Sequence, residues 1–347
     1  MGLERSFIVH NMSINKDILD KLKNAGALSE QLPDLGFVPT GSYALNWVVA
    51  GDMKKGIPIG AITQIRGPSS TAKTVVLVSI LVQAQKMGYH TCIQDSENAL
   101  SPSFAEVLGL DIENIIYAAP ETIEDAFDNM EKTINAIRTV DPDTPIVIGY
   151  DSIAVSPARE EFKSENFEQS NMIGALRAKI TGSCLRRINV TLRRKKVALI
   201  IVNQLRDKVG ILYGNPETLA AGGKSLEYYI AVDLRTSSNK STDLIRDDNK
   251  EVIGITGNIE NKKNKVSLPY RKCEFRLFFN KGVDPYFGVV PILEAEGLIK
   301  CPSSGWYEID GLKFRKSQFE EHLFDAKVSQ FDSVRKILGI SVDALKT

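Results

Sequence analysis

Histidine and cysteine are scarce in this chain, and the scarcity narrows its chemistry. Three histidines, His10, His90 and His322, are spread over 347 residues, which leaves little material for imidazole-based catalysis. The 4 cysteines, Cys92, Cys184, Cys273 and Cys301, form no C-x-x-C pair. That spacing argues against a zinc site or a disulfide framework and for a reducing, cytoplasmic compartment. Neither sign of charge is in excess, since 43 Lys and Arg balance 43 Asp and Glu. Contact with a polyanion must therefore come from a local basic cluster and not from the field of the whole chain. No apolar run reaches bilayer-spanning length, and Met1-Gly2-Leu3-Glu4-Arg5-Ser6 lacks the pattern of a secretory leader. No membrane partner is expected. Internal repeats and low-complexity segments are missing as well.

What is present is one stretch around which the rest is organised. Gly67-Pro68-Ser69-Ser70-Thr71-Ala72-Lys73-Thr74 follows the apolar run 61–65 and opens a helical run from Val75 to Lys86. Strand, Gly-led loop, Lys-Thr and helix are the context of a phosphate-binding loop. Its backbone N–H groups, with the helix N-terminus behind them, make a concave anion site. Lys73 then reaches the β- and γ-phosphates, and Thr74 holds Mg2+. The pattern G-x-x-x-x-G-K-[ST] asks for glycine where Ala72 stands, and a Cβ there narrows the backbone's choices. The alternative is an ordinary strand–turn–helix that happens to contain Lys-Thr.

Strand candidates at 61–65, 91–94, 115–118, 145–150 and 197–202 alternate with helix candidates at 73–87, 102–108, 122–138 and 173–193. Such alternation builds an α/β fold with a parallel sheet covered on both faces. After residue 226, strands at 228–236, 253–260 and 273–279 follow without long helices and extend the sheet in a partly antiparallel manner. Residues 237–250 read as a solvated hairpin or loop, and 40–47 as a capped helix. Residues 13–25 carry Ile14, Ile18, Leu22 and Ala25 at helical spacing. That helix is too small to bury its own stripe, so it packs on the core or on another copy. The expected organisation is an oligomerisation arm at 1–40, a core at 41–283 and a small C-terminal α/β domain at 284–347.

Polar residues stand at the ends of the core strands. Asp151 closes the apolar run 146–150, where a phosphate-loop ATPase places the acid behind Mg2+; a solvated Asp-Ser turn would look the same. Glu97, just after the second strand, faces the ligand crevice of such a sheet and suits a base for the attacking water, or a first-turn acid at a helix N-terminus. Gln204 ends the fifth strand and either senses the γ-phosphate or merely terminates the strand. Two stretches suggest nucleic acid. Residues 176–196 hold Arg177, Lys179, Arg186, Arg187, Arg193, Arg194, Lys195 and Lys196 with no acid, which is either a phosphate-binding face or the solvated side of a helix. Residues 206–224, rich in Gly and Pro, are too long for a simple connection and read as a functional loop.

Together GPSSTAKT, DSENALSPSFAEVLGLDIENI, IVIGYDS, LIIVNQLRDKVGILYGNPET, AGGKSLEYY and KKNKVSLPYRKCEF resemble the RecA family of DNA strand-exchange recombinases over about residues 40–310. A non-glycine residue before the Lys is more like the UvsX-type recombinases of bacteriophages, which implies a phage or accessory recombinase acting in the bacterial cytoplasm. The resemblance implies a RecA-like ATPase core that uses ATP and Mg2+ and forms helical filaments on single-stranded DNA for exchange with a homologous duplex. Single-strand-binding and loading proteins are the further partners implied. Carried over by position, Lys73, Thr74 and Asp151 hold phosphate and metal, Glu97 activates water, and Gln204 reports the γ-phosphate to a DNA loop. That loop carries Arg206, Lys208, Val209, Gly210, Gly222 and Gly223, with Val209 at the position of a base-separating wedge. A second DNA loop, at about 160–172, ends at Met172 and Arg177. Lys263 and Lys265 match lysines that reach the neighbour's ATP, Tyr228 an aromatic that couples subunits, and Glu121 and Phe279 positions that bracket adenine. Rival readings are a ring-forming motor on the same fold, helicase or RadA-like, and a weakly hydrolysing filament-forming mediator. Gly149-Tyr150 departs from the small or β-branched pair of the family.

Overall fold

A computed structural model of the chain describes Lys21 and residues 34–162, 170–207, 217–219, 223–238 and 243–315. The expected helix at 13–25 lies outside the described residues, apart from Lys21. The chain divides after Leu35 into two compact units, and every element named below belongs to the second.

The first elements are a short pair, β1 (Phe37–Val38) and β2 (Ile57–Pro58), antiparallel to each other. They flank α1 (Tyr43–Ala50), the capped helix expected near residue 40. Ser42 accepts a hydrogen bond from the Leu45 amide at its start, and Gly51, at φ 72°, ends it in the left-handed region. The core strands are β3 (Ile62–Gly67), β4 (His90–Asp95), β5 (Ile115–Ala118), β6 (Ile146–Asp151) and β7 (Val197–Asp207). They lie parallel in the order β3-β7-β6-β4-β5. Every residue of β6 is buried, as a parallel strand covered on both faces requires.

α2 (Lys73–Lys86) covers one face of the sheet. It packs close to β6 because Gly149 has no side chain, and a Cβ there would lie 2.8 Å from Leu77 Cδ1. α4 (Ile123–Val140) and α6 (Ser170–Arg194) cover the other face. α4 turns Ile123, Ala126, Phe127, Met130 and Ile134 inward, at helical spacing. These meet Leu185, Ile188 and Leu192 of α6 and Ile148 and Tyr150 of β6 in one cluster. Emptying the Phe127 site would cost about 3–5 kcal/mol. Between them lie two short helices, α3 (Pro102–Val107) and α5 (Arg159–Phe162).

Beyond α7 (Gly223–Tyr229) the sheet continues as expected. β9 (Ile230–Ser237) is parallel to β3, and β11 (Val252–Asn264), β12 (Lys272–Phe278) and β13 (Gly282–Val283) add antiparallel strands. One addition was not foreseen, and the hairpin alternative expected within 237–250 is present. β8 (Glu217–Leu219) pairs with the end of β7, so the Gly-rich stretch starts as a hairpin. Within 237–250, β10 (Leu244–Arg246) pairs with β11. After α8 (Val289–Ala295), strands β14 (Lys300–Ser303), β15 (Trp306–Ile309) and β16 (Leu312–Arg315) form a separate antiparallel sheet.

Candidate nucleotide site

The loop Gly67–Thr74 leaves the carboxyl end of β3 and enters α2 directly. Gly67 is required by packing, since a Cβ would lie 2.2 Å from Thr236 Oγ1 on β9. Thr71 Oγ1 lies 2.7 Å from the same hydroxyl and donates to the Pro68 carbonyl at 2.9 Å, pinning the loop to the sheet. Ser70 and Ala72 both stand at φ 63°, in the region that glycine occupies freely. For Ala72 that conformation costs about 1 kcal/mol. α2 has no side-chain cap and no acid in its first turn, so its leading N–H groups remain available to an anion. Lys73 is buried and donates to the Pro68 carbonyl at 2.7 Å. Burial lowers its proton affinity, while Asp151 and Glu97 raise it.

Opposite the loop are the ends of β4 and β6, whose register sets Asp95 beside Asp151. Thr74 Oγ1 donates to Asp151 Oδ2 at 2.6 Å. Burial pushes the Asp151 carboxyl up to about 6, the Thr74 bond lowers it, and Glu97 and Asp95 add to the rise. A buried carboxylate facing a hydroxyl is a donor set suited to a hard divalent cation, so these residues fit Mg2+. Ser152 Oγ donates to Glu97 Oε1 at 2.7 Å, and Gln204 Nε2 donates to the same oxygen at 3.3 Å. Gln204 reaches it because β7 pairs with β3 and sets Gln204 beside Gly67. The loop from Ser69 to Thr74, with Glu97, Asp151, Val202 and Gln204, lines one cavity of about 360 Å3.

A second cavity, about 430 Å3, is mainly apolar and shares Ser70 and Ala72 with the first. Phe104 and Phe279 line it, with Leu244, Ile255 and Leu277. Phe279, expected from the family resemblance to bracket adenine, lines this apolar cavity. Phe104 was missed: in a six-residue helix it reads as core, and strands 140 or more residues away complete the cavity. Glu121 is exposed in the turn before α4 and is not among the residues lining either cavity. A larger cavity of about 540 Å3, near Tyr43, Lys86 and Lys281, shares only Val75 with the apolar one and contains none of the loop residues.

Lys263 and Lys265 line neither cavity. They stand near the end of β11, where Lys263 Nζ donates to the Glu227 carbonyl and Lys265 Nζ to the Tyr228 carbonyl at 3.3 Å. Burial, then the neighbouring Lys265, lowers the proton affinity of Lys263. Tyr228 is 77% exposed. Of the expected DNA contacts, Arg206 lies on β7, Met172 in α6 and Gly223 at the start of α7. Lys208, Val209, Gly210 and Gly222 lie outside the described residues, as do residues 163–169 of the other expected loop. The basic run 176–196 is less free than its composition suggests. Arg177 pairs with Glu161 at 2.7 Å, Arg187 with Asp128 and Glu131, and Lys196 with Asp143.

These features have relatives. The family model for the RecA N-terminal domain matches residues 19–284. The chain belongs to the RecA family. It is 35% identical to Protein RecA of Thermus aquaticus over 270 residues, covering 78% of this chain and 74% of the relative. With Protein RecA of Symbiobacterium thermophilum it shares 32% identity over 289 residues, 82% of this chain and 78% of the relative. With that of Thermus thermophilus it shares 34% over 288 residues, 83% and 79%. Among the described residues no helix is long and apolar enough to cross a membrane.

Proposed function

We propose that the cavity at the loop takes the triphosphate of ATP and that the adjoining apolar cavity takes adenine between Phe104 and Phe279. The protein is an ATP-dependent homologous-recombination protein and a DNA-dependent ATPase. In the proposed mechanism the loop amides and Lys73 hold the phosphates, and Thr74 and Asp151 hold Mg2+. Held by these residues, Mg2+ would supply positive charge beside the phosphate oxygens. Glu97 Oε2 takes the proton of the attacking water, because Oε1 already accepts from Ser152 and Gln204.

The observation that carries the coupling to DNA is the Gln204–Glu97 contact. Gln204 lies on the strand whose end forms the hairpin with β8, so movement of that hairpin by single-stranded or homologous duplex DNA repositions Glu97. Lys263 and Lys265 complete the ATP site of a neighbouring copy in a head-to-tail helical filament. Ala72 supports placement with the bacteriophage UvsX-type branch, acting in the bacterial cytoplasm beside single-strand-binding and loading proteins.

Gln204→Ala tests the coupling. ATP binding is expected to stay within about twofold while stimulation of hydrolysis by single-stranded DNA disappears; equal stimulation in variant and parent removes Gln204 from the mechanism. Electron microscopy with DNA and a non-hydrolysable ATP analogue should show open helices, whereas closed rings would favour a ring motor.

A further inference from the structure

Tyr150 is fully buried, one residue before the acid that faces the metal site. Strand alternation turns its ring away from Asp151, toward α4, where it meets Phe127 edge-on with centroids 6.0 Å apart. Phenylalanine would fill that space as well, so the hydroxyl calls for its own account. A buried phenol is costly unless it is hydrogen-bonded, and this one donates to Ser156 Oγ at 2.7 Å. Ser156 is itself buried. Its hydroxyl lies 3.0 Å from Ser96 Oγ and 3.3 Å from the Ser152 carbonyl, as donor to either. Ser96 Oγ also donates to that carbonyl, at 3.0 Å. Ser152 Oγ, buried in turn, donates to Glu97 Oε1 at 2.7 Å.

A hydroxyl has one proton to give. With the Tyr150 proton directed at Ser156, the Ser156 proton points toward Ser96 Oγ or the Ser152 carbonyl. The hydrogen bonds converge on that carbonyl, and Ser152 itself, through its covalent frame and its own hydroxyl, carries the run on to Glu97. The chain joins two strand ends that otherwise meet through backbone bonds, from the Ser96 amide to the Asp151 carbonyl at 2.9 Å and from the Glu97 amide to the same oxygen at 3.4 Å. It begins on the face of the sheet away from the nucleotide and ends on the carboxylate assigned to the attacking water.

We propose that Tyr150 is a positioning residue for ATP hydrolysis, acting through Ser156, Ser96 and Ser152 to fix the direction in which Glu97 presents its free oxygen. The inference rests on the reading of Glu97 as proton acceptor, and its test separates the two. Tyr150→Phe, Ser156→Ala, the double variant and Glu97→Gln are compared in DNA-stimulated hydrolysis, in binding of a non-hydrolysable ATP analogue and in thermal unfolding. Glu97→Gln should lower kcat by about a hundredfold or more. Tyr150→Phe should lower kcat by about three- to tenfold, because a small displacement of a catalytic group is costly, with KM and analogue affinity held within about twofold. Ser156→Ala should do the same, and the double variant should be no slower than the slower single one, as members of one chain are not additive. If Glu97→Gln is impaired while Tyr150→Phe hydrolyses at the parent rate, Tyr150 only packs and the proposal alone falls. Additive losses in the double variant, or a kcat loss matched by weaker analogue binding or by lost cooperative unfolding, also overturn it. Parent-like hydrolysis by Glu97→Gln overturns both readings.

Discussion

At the carboxyl ends of β3, β4, β6 and β7 the polar groups answer one another within one chain: Thr74 to Asp151, Ser152 and Gln204 to Glu97. Near the end of β11 two lysines instead stand side by side and donate to backbone carbonyls of α7. Those carbonyls carry only partial charge, and burial, then the neighbouring Lys265, lowers the proton affinity of Lys263. One region is a site nearly complete in itself. The other is a pair of cations with no carboxylate among their described hydrogen-bond partners, which the proposed function reads as half a site. On the proposed reading the two regions divide labour, with the hydrolytic groups in one chain and the charge that completes them in the next.

The comparison breaks most sharply at Asp151. Burial lifts its carboxyl from 3.8 to about 6, so the folded protein at pH 7 holds a charge it would rather neutralise. The gap corresponds to about 3 kcal/mol at most. Because the folded-state value is raised, stability of the metal-free protein should rise as pH falls from 7 through 6, and level off below about 4, where the unfolded chain is protonated too. Asp151→Asn should raise the unfolding temperature in chelator at pH 7, flatten that pH dependence and reduce Mg2+-dependent hydrolysis at least about a hundredfold. Calorimetry from pH 5 to 8, with and without Mg2+, checks both parts.

Ala72→Gly probes the loop itself. Removing a Cβ from φ 63° relieves about 1 kcal/mol in the folded state, partly offset by the freer unfolded chain. The expected result is a rise of a degree or two in unfolding temperature, with hydrolysis equal to or faster than the parent's. The smallest effect is expected at Arg187. It is bound to Asp128 and Glu131 on α4, so Arg187→Ala should change single-stranded DNA affinity less than about twofold, measured across a salt titration.

Much of this was legible from residues alone. Strands buried on both faces read as apolar runs, and residues at their carboxyl ends fall into one crevice; Asp151, Glu97 and Gln204 do line one cavity, although the residues alone left each open to a plain structural reading. Other features depend on partners far along the chain. The basic count over 176–196 ignored acids on α4, on α5 and in the bend after α4, about 16 to 59 residues away, that pair with three of the eight cations. Phe104 became a lining residue only because β10 and β12 close over it. Gly149-Tyr150, a departure without a reason in the sequence, is explained by two contacts on opposite faces of β6: Leu77 against the glycine and Ser156 beneath the phenol.

The shared site is tested most directly by mixing two inactive variants, Lys73→Ala and the double Lys263→Ala with Lys265→Ala. In a head-to-tail polymer assembled at random from equal amounts, roughly a quarter of interfaces join an intact loop to intact lysines. ATP hydrolysis in the presence of single-stranded DNA should therefore return on mixing, to about that fraction of the parent rate. If the two variants co-assemble and hydrolysis stays absent, or if the double lysine variant is fully active alone, the division of the site between neighbouring chains is contradicted.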